Sequence, residues 1–134
     1  MTSTVVYQGD LRTEAVHLKS KVSQYSDAPI DNQGKGESFS PTDLVATALA
    51  QCALTIMGIK ARDLGIDISG SKAEILKVMG DKPRKIDTIQ IILNMKGSAN
   101  DKQKTILERS GLTCPVALSL HDSVNQEIKF FWKD

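Results

Sequence analysis

The sequence predicts an α+β domain with the element order β-β-α-β-β-α-α-β, on three observations. First, no charged residue occurs from Leu44 to Ile59, and apolar side chains would cover most of the circumference of a helix there. Second, apolar residues alternate along 89–95, as in a half-buried strand. Third, Gly, Pro, Asn and Asp residues separate these segments, as they do at turns.

Length and composition limit the class of protein. A chain of 134 residues predicts one domain, residues 1–134. A formal charge of +1 and 4% aromatic residues argue against nucleic acid and membrane surfaces as partners. The N-terminal residues lack the basic and apolar regions of a signal peptide, so we expect a cytoplasmic protein whose cysteines are kept reduced.

The N-terminal third predicts a hairpin followed by a long loop. A turn at Gly9-Asp10 places the hairpin within 5–22, and its second strand is expected to include 16–22. The loop Asp27–Ser40 is rich in turn-forming residues, and loops of this length are often functional. The loop carries Glu37 to the start of the next helix.

The long central helix is predicted from both of its ends. Ser40 is a good N-cap, Pro41 suits the first helical position, and Asp43 suits the positive end of the helix dipole. Gly65 is expected to end the helix in a left-handed conformation. Because the helix is apolar nearly all round, we expect it to be packed on several sides. Its Ala-rich, short uncharged run is poor material for a membrane span, and Cys52 lies near its middle.

The remaining elements are two strands, two helices and a final strand. The predicted segments are a strand beginning at Ile66 and Ile68 and continuing through 73–77, a turn at 80–85, a strand at 89–95, a helix at 100–110 ended by Gly111, a short helix with Pro115 at its first position, and a strand at 124–132. The two middle strands are expected to form an antiparallel hairpin with one face covered by the central helix.

The two cysteines differ in their local settings. Cys114 precedes Pro115 at a helix N-terminus, where free N–H groups favour a thiolate and a low pKa is expected. Cys52 is in mid-helix, so it needs a nearby cation to react, and Arg12 is a candidate. The alternative is that Cys52 is a small core residue, Cys114 a cap residue, and Arg12 and Glu37 solvated surface residues.

Two sequence motifs contain the two cysteines and resemble a known family. The segment F-S-P-T-D-L-V-A-T-A-L-A-Q-C-A-L-T, preceded by D-A-P-I-D-N-Q-G-K-G-E, and the later T-C-P-V-A-L-S-L-H resemble the OsmC/Ohr family of osmotically induced and organic-hydroperoxide-resistance proteins. The resemblance is closest to the OsmC-like branch and covers essentially the whole chain. It implies an intertwined homodimer with long central helices flanked by antiparallel sheets.

The resemblance also implies a site. Cys52 would be the peroxidatic cysteine that reduces organic hydroperoxides, and Cys114 would resolve its sulfenic acid as a disulfide. Arg12 would hold the Cys52 thiolate and polarise the peroxide. A dithiol, for example a lipoyl protein, would regenerate the thiols, and no cofactor or metal would be needed.

One position departs from the family pattern. Thr42 stands where the hydroperoxide reductases have a first-turn glutamate that orients the arginine, and Glu37 and Asp43 are the candidates to replace it. This departure supports an alternative function, a non-enzymatic stress protein that binds a small apolar ligand or senses oxidants in the dimer cleft. A third reading is a structural dimer whose cysteines are core residues.

Overall fold

The computed structural model describes residues 1–133 and confirms the α+β class. Its elements are β1 (Ser3–Gly9), β2 (Arg12–His17), β3 (Ser23–Asp27), a 3-10 turn (Ile30–Asn32), α1 (Pro41–Asp63), β4 (Lys72–Gly80), β5 (Lys85–Met95), α2 (Asp101–Leu112), α3 (Pro115–Ser119) and β6 (Asn125–Trp132). The chain divides into two compact units, Met1–Val45 and a second from Ala46 on. That residues 1–134 form a single domain therefore stays a prediction.

The first unit contains an antiparallel sheet of order β1-β2-β3. The predicted hairpin is present, but its second strand ends at His17 and does not reach residue 22. The chain turns there, with Lys21 at a positive φ of 64° and the His17 N–H bound to the Val22 carbonyl. A third strand follows, which the sequence did not predict because S-Q-Y-S-D lacks an apolar alternation.

Both predicted ends of α1 are confirmed. The Ser40 hydroxyl accepts the Asp43 N–H at 3.0 Å, and the Asp43 carboxylate accepts the Ser40 N–H at 2.9 Å, which is a reciprocal capping arrangement. At the other end Gly65 has a φ of +72°, and the Ile66 N–H donates to the Ala61 carbonyl at 2.8 Å. This 6→1 bond is part of a Schellman motif.

The second unit contains a sheet of order β4-β5-β6, in which β4 and β5 are antiparallel as predicted and β5 and β6 are parallel. The prediction that Ile66 and Ile68 begin a strand was wrong, because β4 starts at Lys72. Ile66 is instead used to close the end of α1. Period-two patterns cannot distinguish such an extended connection from a strand.

Helix α2 runs two residues beyond its expected last residue, Ser110. Gly111 lies inside the helix, which continues to Leu112. A Cβ atom at Gly111 would come within 2.8 Å of the Met57 sulfur on α1. The glycine therefore permits a close approach of two helices and does not end one.

One side of α1 packs against the inner face of β5. The buried residues of α1 are Ala46, Leu49, Ala50, Ala53, Met57 and Ala61, and those of β5 include Ile89, Ile91, Leu93 and Met95. Another side of α1 is only partly covered. Val45 is 38% exposed and Ile59 47% exposed. Packing on several sides, as expected from the sequence, is thus not complete within one chain.

By length and composition alone, α1 is also long and apolar enough to cross a membrane, contrary to the expectation from its uncharged run. Core helices meet the same criteria, and a third of its most apolar stretch is buried inside the protein.

Candidate active site

The four residues predicted for the site form two pairs. Cys52 and Cys114 belong to the second unit, and Arg12 and Glu37 belong to the first. Cys52 lies near Cys114, and Arg12 lies near Glu37.

Cys114 is the N-cap of α3, directly before Pro115, and its side chain is fully buried. The Ala117 N–H donates to its sulfur at 3.5 Å. The expected low pKa was wrong: burial raises the pKa of the Cys114 thiol, although the Ala117 N–H opposes this effect. Helix α3 has only five residues, so its N–H groups cannot offset the loss of solvent around the sulfur.

Cys52 lies on α1 and is half-buried against the core. Cys52 lies near Cys114, and its proximity further raises the pKa of the Cys114 thiol. Both cysteines are free, so they are a neighbouring pair of reduced thiols. Such a pair can be oxidised to a disulfide if its geometry allows the bond.

Cys52 also lies on the less covered side of α1. We call this side the open stripe of α1, and its members recur every three or four residues: Val45, Ala48, Cys52, Ile56 and Ile59. All five are exposed or half-buried. The sulfur of Cys52 therefore borders an apolar surface that one chain does not cover.

Arg12 is held by a carboxylate that sequence analysis missed. Its Nε and Nη2 atoms bind the two carboxylate oxygens of Asp27 at 2.7 and 2.8 Å. The two residues are directly opposite each other in the β2–β3 ladder. The Tyr25 ring lies beneath the guanidinium, with its centroid 5.5 Å from Arg12 Cζ.

Asp27 is 1% exposed, although aspartate is rarely so buried without a partner. Its hydrogen bonds to Arg12 are the main cause that lowers its pKa, and the Glu37 N–H, which it accepts at 3.1 Å, adds to this effect. The Asp27 interaction in turn raises the pKa of Arg12. Only the pairing of β2 with β3 reveals this contact, and β3 was not predicted.

Glu37 makes only a long contact with Arg12, and Asp43 is used as a helix cap. The Glu37 carboxylate is 3.8 Å from Arg12 Nη2, and its side chain is 65% exposed. The Asp43 carboxylate caps α1 through Ser40, as its simplest reading predicted. The Thr42 hydroxyl lies 3.3 Å from that of Ser40.

Among residues 1–133 there is no group of three or more His, Cys, Asp or Glu side chains arranged to hold a metal ion. The candidate chemical groups of the site are the thiol pair and the arginine–carboxylate group.

Comparison with known proteins identifies the family. The OsmC-like protein model matches residues 34–129. A crystal structure from Psychrobacter arcticus, described provisionally as an osmotic stress induced and detoxification response protein, is 52% identical; the match covers 98% of this chain and 96% of that one, with a TM-score of 0.94. A search of curated proteins found no match.

Two more distant structures share the fold. An organic hydroperoxide resistance protein OsmC from Legionella pneumophila is 15% identical over 97% of this chain and 96% of its own, with a TM-score of 0.72. The organic hydroperoxide resistance protein OhrB of Bacillus subtilis is 16% identical over 98% of each chain, with a TM-score of 0.62. The family model and the Psychrobacter structure show that this chain belongs to the OsmC-like protein family.

Proposed function

We propose that this protein reduces organic hydroperoxides with a Cys52/Cys114 thiol pair, in defence against oxidative or osmotic stress. The observation that carries the proposal is the proximity of two free thiols, one on α1 and one at the N-cap of α3. The names of the Legionella and Bacillus proteins, both hydroperoxide-resistance proteins of the same fold, support it.

The proposed cycle has three steps. The Cys52 thiolate attacks the O–O bond of the hydroperoxide, becomes a sulfenic acid, and releases an alkoxide that takes a proton to leave as the alcohol. The Cys114 thiolate then attacks the Cys52 sulfur, which forms the disulfide and breaks the S–O bond; the hydroxide released takes a proton to leave as water. A dithiol, for example a dihydrolipoyl group, reduces the disulfide and is itself oxidised.

In this proposal Arg12 stabilises the Cys52 thiolate and polarises the peroxide, and Glu37 assists by pairing with Arg12. Support comes from the guanidinium donors: the two N–H bonds of Nη1 make no hydrogen bond to any residue in 1–133. An arginine that keeps free donors beside a fixed carboxylate is suited to bind a developing oxyanion.

The proposal includes a homodimer in which Arg12 reaches Cys52 from either subunit. The open stripe of α1 supports it, because exposed apolar residues beside Cys52 would be covered by a second copy. We propose a cytoplasmic enzyme that acts without nucleic acid or membrane partners.

The test is consumption of cumene hydroperoxide with dihydrolipoamide as the reductant, for wild type, Cys52→Ser and Cys114→Ser. We expect steady turnover in the wild type and none with Cys52→Ser. Cys114→Ser should keep a burst of about one peroxide per subunit, since the first step needs only Cys52. Turnover that survives Cys52→Ser would contradict the proposal.

A second candidate is a non-enzymatic OsmC-like protein that binds a small apolar ligand or senses oxidants. Thr42, in place of the expected glutamate, favours it. Reversible formation of the Cys52–Cys114 disulfide by hydroperoxide, without turnover when the dithiol is present, would favour the sensor. No oxidation of either thiol would favour the ligand-binding protein.

A further inference from the structure

We propose that Asp27 is the positioning residue of Arg12 and takes the part that sequence analysis assigned to Glu37 or Asp43. The inference rests on the proposed function, because positioning Arg12 matters for activity only if Arg12 takes part in peroxide reduction. The arrangement itself is a property of the first unit and can be tested without peroxide.

Asp27 binds Arg12 through two parallel hydrogen bonds of 2.7 and 2.8 Å, the arrangement that fixes both the position and the plane of a guanidinium. Glu37 offers one oxygen at 3.8 Å, which is too long for a hydrogen bond. Only Asp27 therefore determines the orientation of the arginine.

Backbone hydrogen bonds hold Asp27 in place beside Arg12. Asp27 and Arg12 are partners in the β2–β3 ladder, so their backbones are joined by strand pairing. The Asp27 N–H donates to the Phe39 carbonyl at 3.0 Å, and one Asp27 carboxylate oxygen also accepts the Glu37 N–H. Asp27 thus anchors the loop that carries Glu37, and even Glu37 depends on it for its place.

Asp27 is far more buried than Glu37. The Asp27 side chain is 1% exposed, whereas that of Glu37 is 65% exposed. A charged pair screened by solvent contributes little, while removing one partner of a buried pair leaves the other uncompensated. Removal of the Asp27 carboxylate should therefore disturb the position of Arg12 more than removal of the Glu37 carboxylate.

Asp27 leaves two donors of the Arg12 guanidinium free. Asp27 occupies the Nε edge of the guanidinium, and Tyr25 lies against one of its faces. The Nη1 donors remain available on the opposite edge. Asp27 therefore orients Arg12 and does not block the donors that a thiolate or a peroxide oxygen would use.

The direct test is the Arg12 Nε–H signal in 15N-labelled protein, assigned by its absence in Arg12→Lys. We expect a slowly exchanging signal in the wild type that is lost in Asp27→Asn and restored in Asp27→Glu. Glu37→Gln should keep it. An unchanged signal in Asp27→Asn, or its loss in Glu37→Gln, would overturn the inference. If Asp27→Asn does not fold, by far-UV circular dichroism, the Glu37→Gln arm still decides.

Peroxide turnover provides a second measurement, which would not change if Asp27 had only a structural role. In folded Asp27→Asn, kcat/KM should fall about 100-fold, as expected when a positioned group is displaced. Glu37→Gln should cost less than about fivefold, the effect of a weak exposed pair. Glu14→Gln, on the same strand as Arg12, is the matched control and should leave kcat/KM unchanged.

The two failures can be told apart. If the wild type shows no peroxide turnover but the Arg12 signal responds to Asp27 as described, the proposed function fails and the role of Asp27 stands. If turnover is present and Asp27→Asn retains full kcat/KM, only the inference about Asp27 is overturned.

Discussion

The Cys114 thiol is subject to two opposing influences. Its place at a helix N-terminus favours the thiolate, and its burial favours the neutral thiol. Burial is the larger effect, so the pKa of Cys114 is raised. In the proposed cycle, a buried neutral thiol suits a resolving residue that reacts only after Cys52 has been oxidised.

This balance predicts a pH dependence for the resolving step. Attack on the sulfenic acid needs the Cys114 thiolate, and the raised pKa means that this form is still accumulating above about pH 8.5, the value for an ordinary thiol. The rate of disulfide formation should therefore keep rising beyond that pH. Alkylation and mass spectrometry after rapid quenching, at saturating hydroperoxide, would measure it.

The control for that experiment is Cys114→Ser, which should form no intramolecular disulfide at any pH. A rate that levels off below about pH 8 would show instead that the helix N-terminus outweighs burial.

At the scale of elements, α1 is defined by its two caps. Its first turn is closed by Ser40 and Asp43, and its last by Gly65 at a φ of +72°. These interactions are local, which explains why its ends could be predicted from the sequence. They fix the two ends of the helix that carries Cys52.

Gly65→Ala should destabilise the fold, because a Cβ atom is disfavoured at that positive φ. We expect a loss of about 1–2 kcal/mol in the free energy of unfolding. Urea titration at fixed protein concentration, followed by circular dichroism at 222 nm, would measure it.

Gly65→Asn provides the matched comparison, since asparagine tolerates the left-handed region better than alanine. It should lose less stability than Gly65→Ala. Equal losses in both variants would mean that the left-handed conformation is not the cause.

The open stripe of α1 is one apolar surface that a single chain leaves partly uncovered. Val45 and Ile59 are exposed on the same side of the helix as Cys52, while the opposite side is completely covered. The proposed homodimer would cover this stripe and so change the surroundings of Cys52.

Ile59→Arg should therefore prevent dimer formation, because it would place an unpaired charge in the proposed apolar interface. Sedimentation equilibrium should give twice the 14.6 kDa chain mass for the wild type and the single chain mass for Ile59→Arg. Leu76→Lys is the control: Leu76 is 57% exposed on the solvent face of the β4-β5-β6 sheet, and the variant should remain dimeric. A monomeric wild type at micromolar concentration would exclude the dimer.

The sequence by itself determined the elements whose signals are local. The caps of α1, the alternation along β5 and the proline after Cys114 each lie within a few residues of the structure they specify. The family motifs around Cys52 and Cys114 are contiguous for the same reason, so both cysteines could be selected from the sequence.

Tertiary structure alone decided the features that depend on distant residues. The partner of Arg12 is Asp27, fifteen positions away and visible only once β3 is paired with β2. The burial that raises the pKa of Cys114, and the approach of Met57 that requires Gly111, arise from packing between elements far apart in the chain. Side-chain patterns report local geometry, whereas cross-strand partners and burial are set by how the chain folds back on itself.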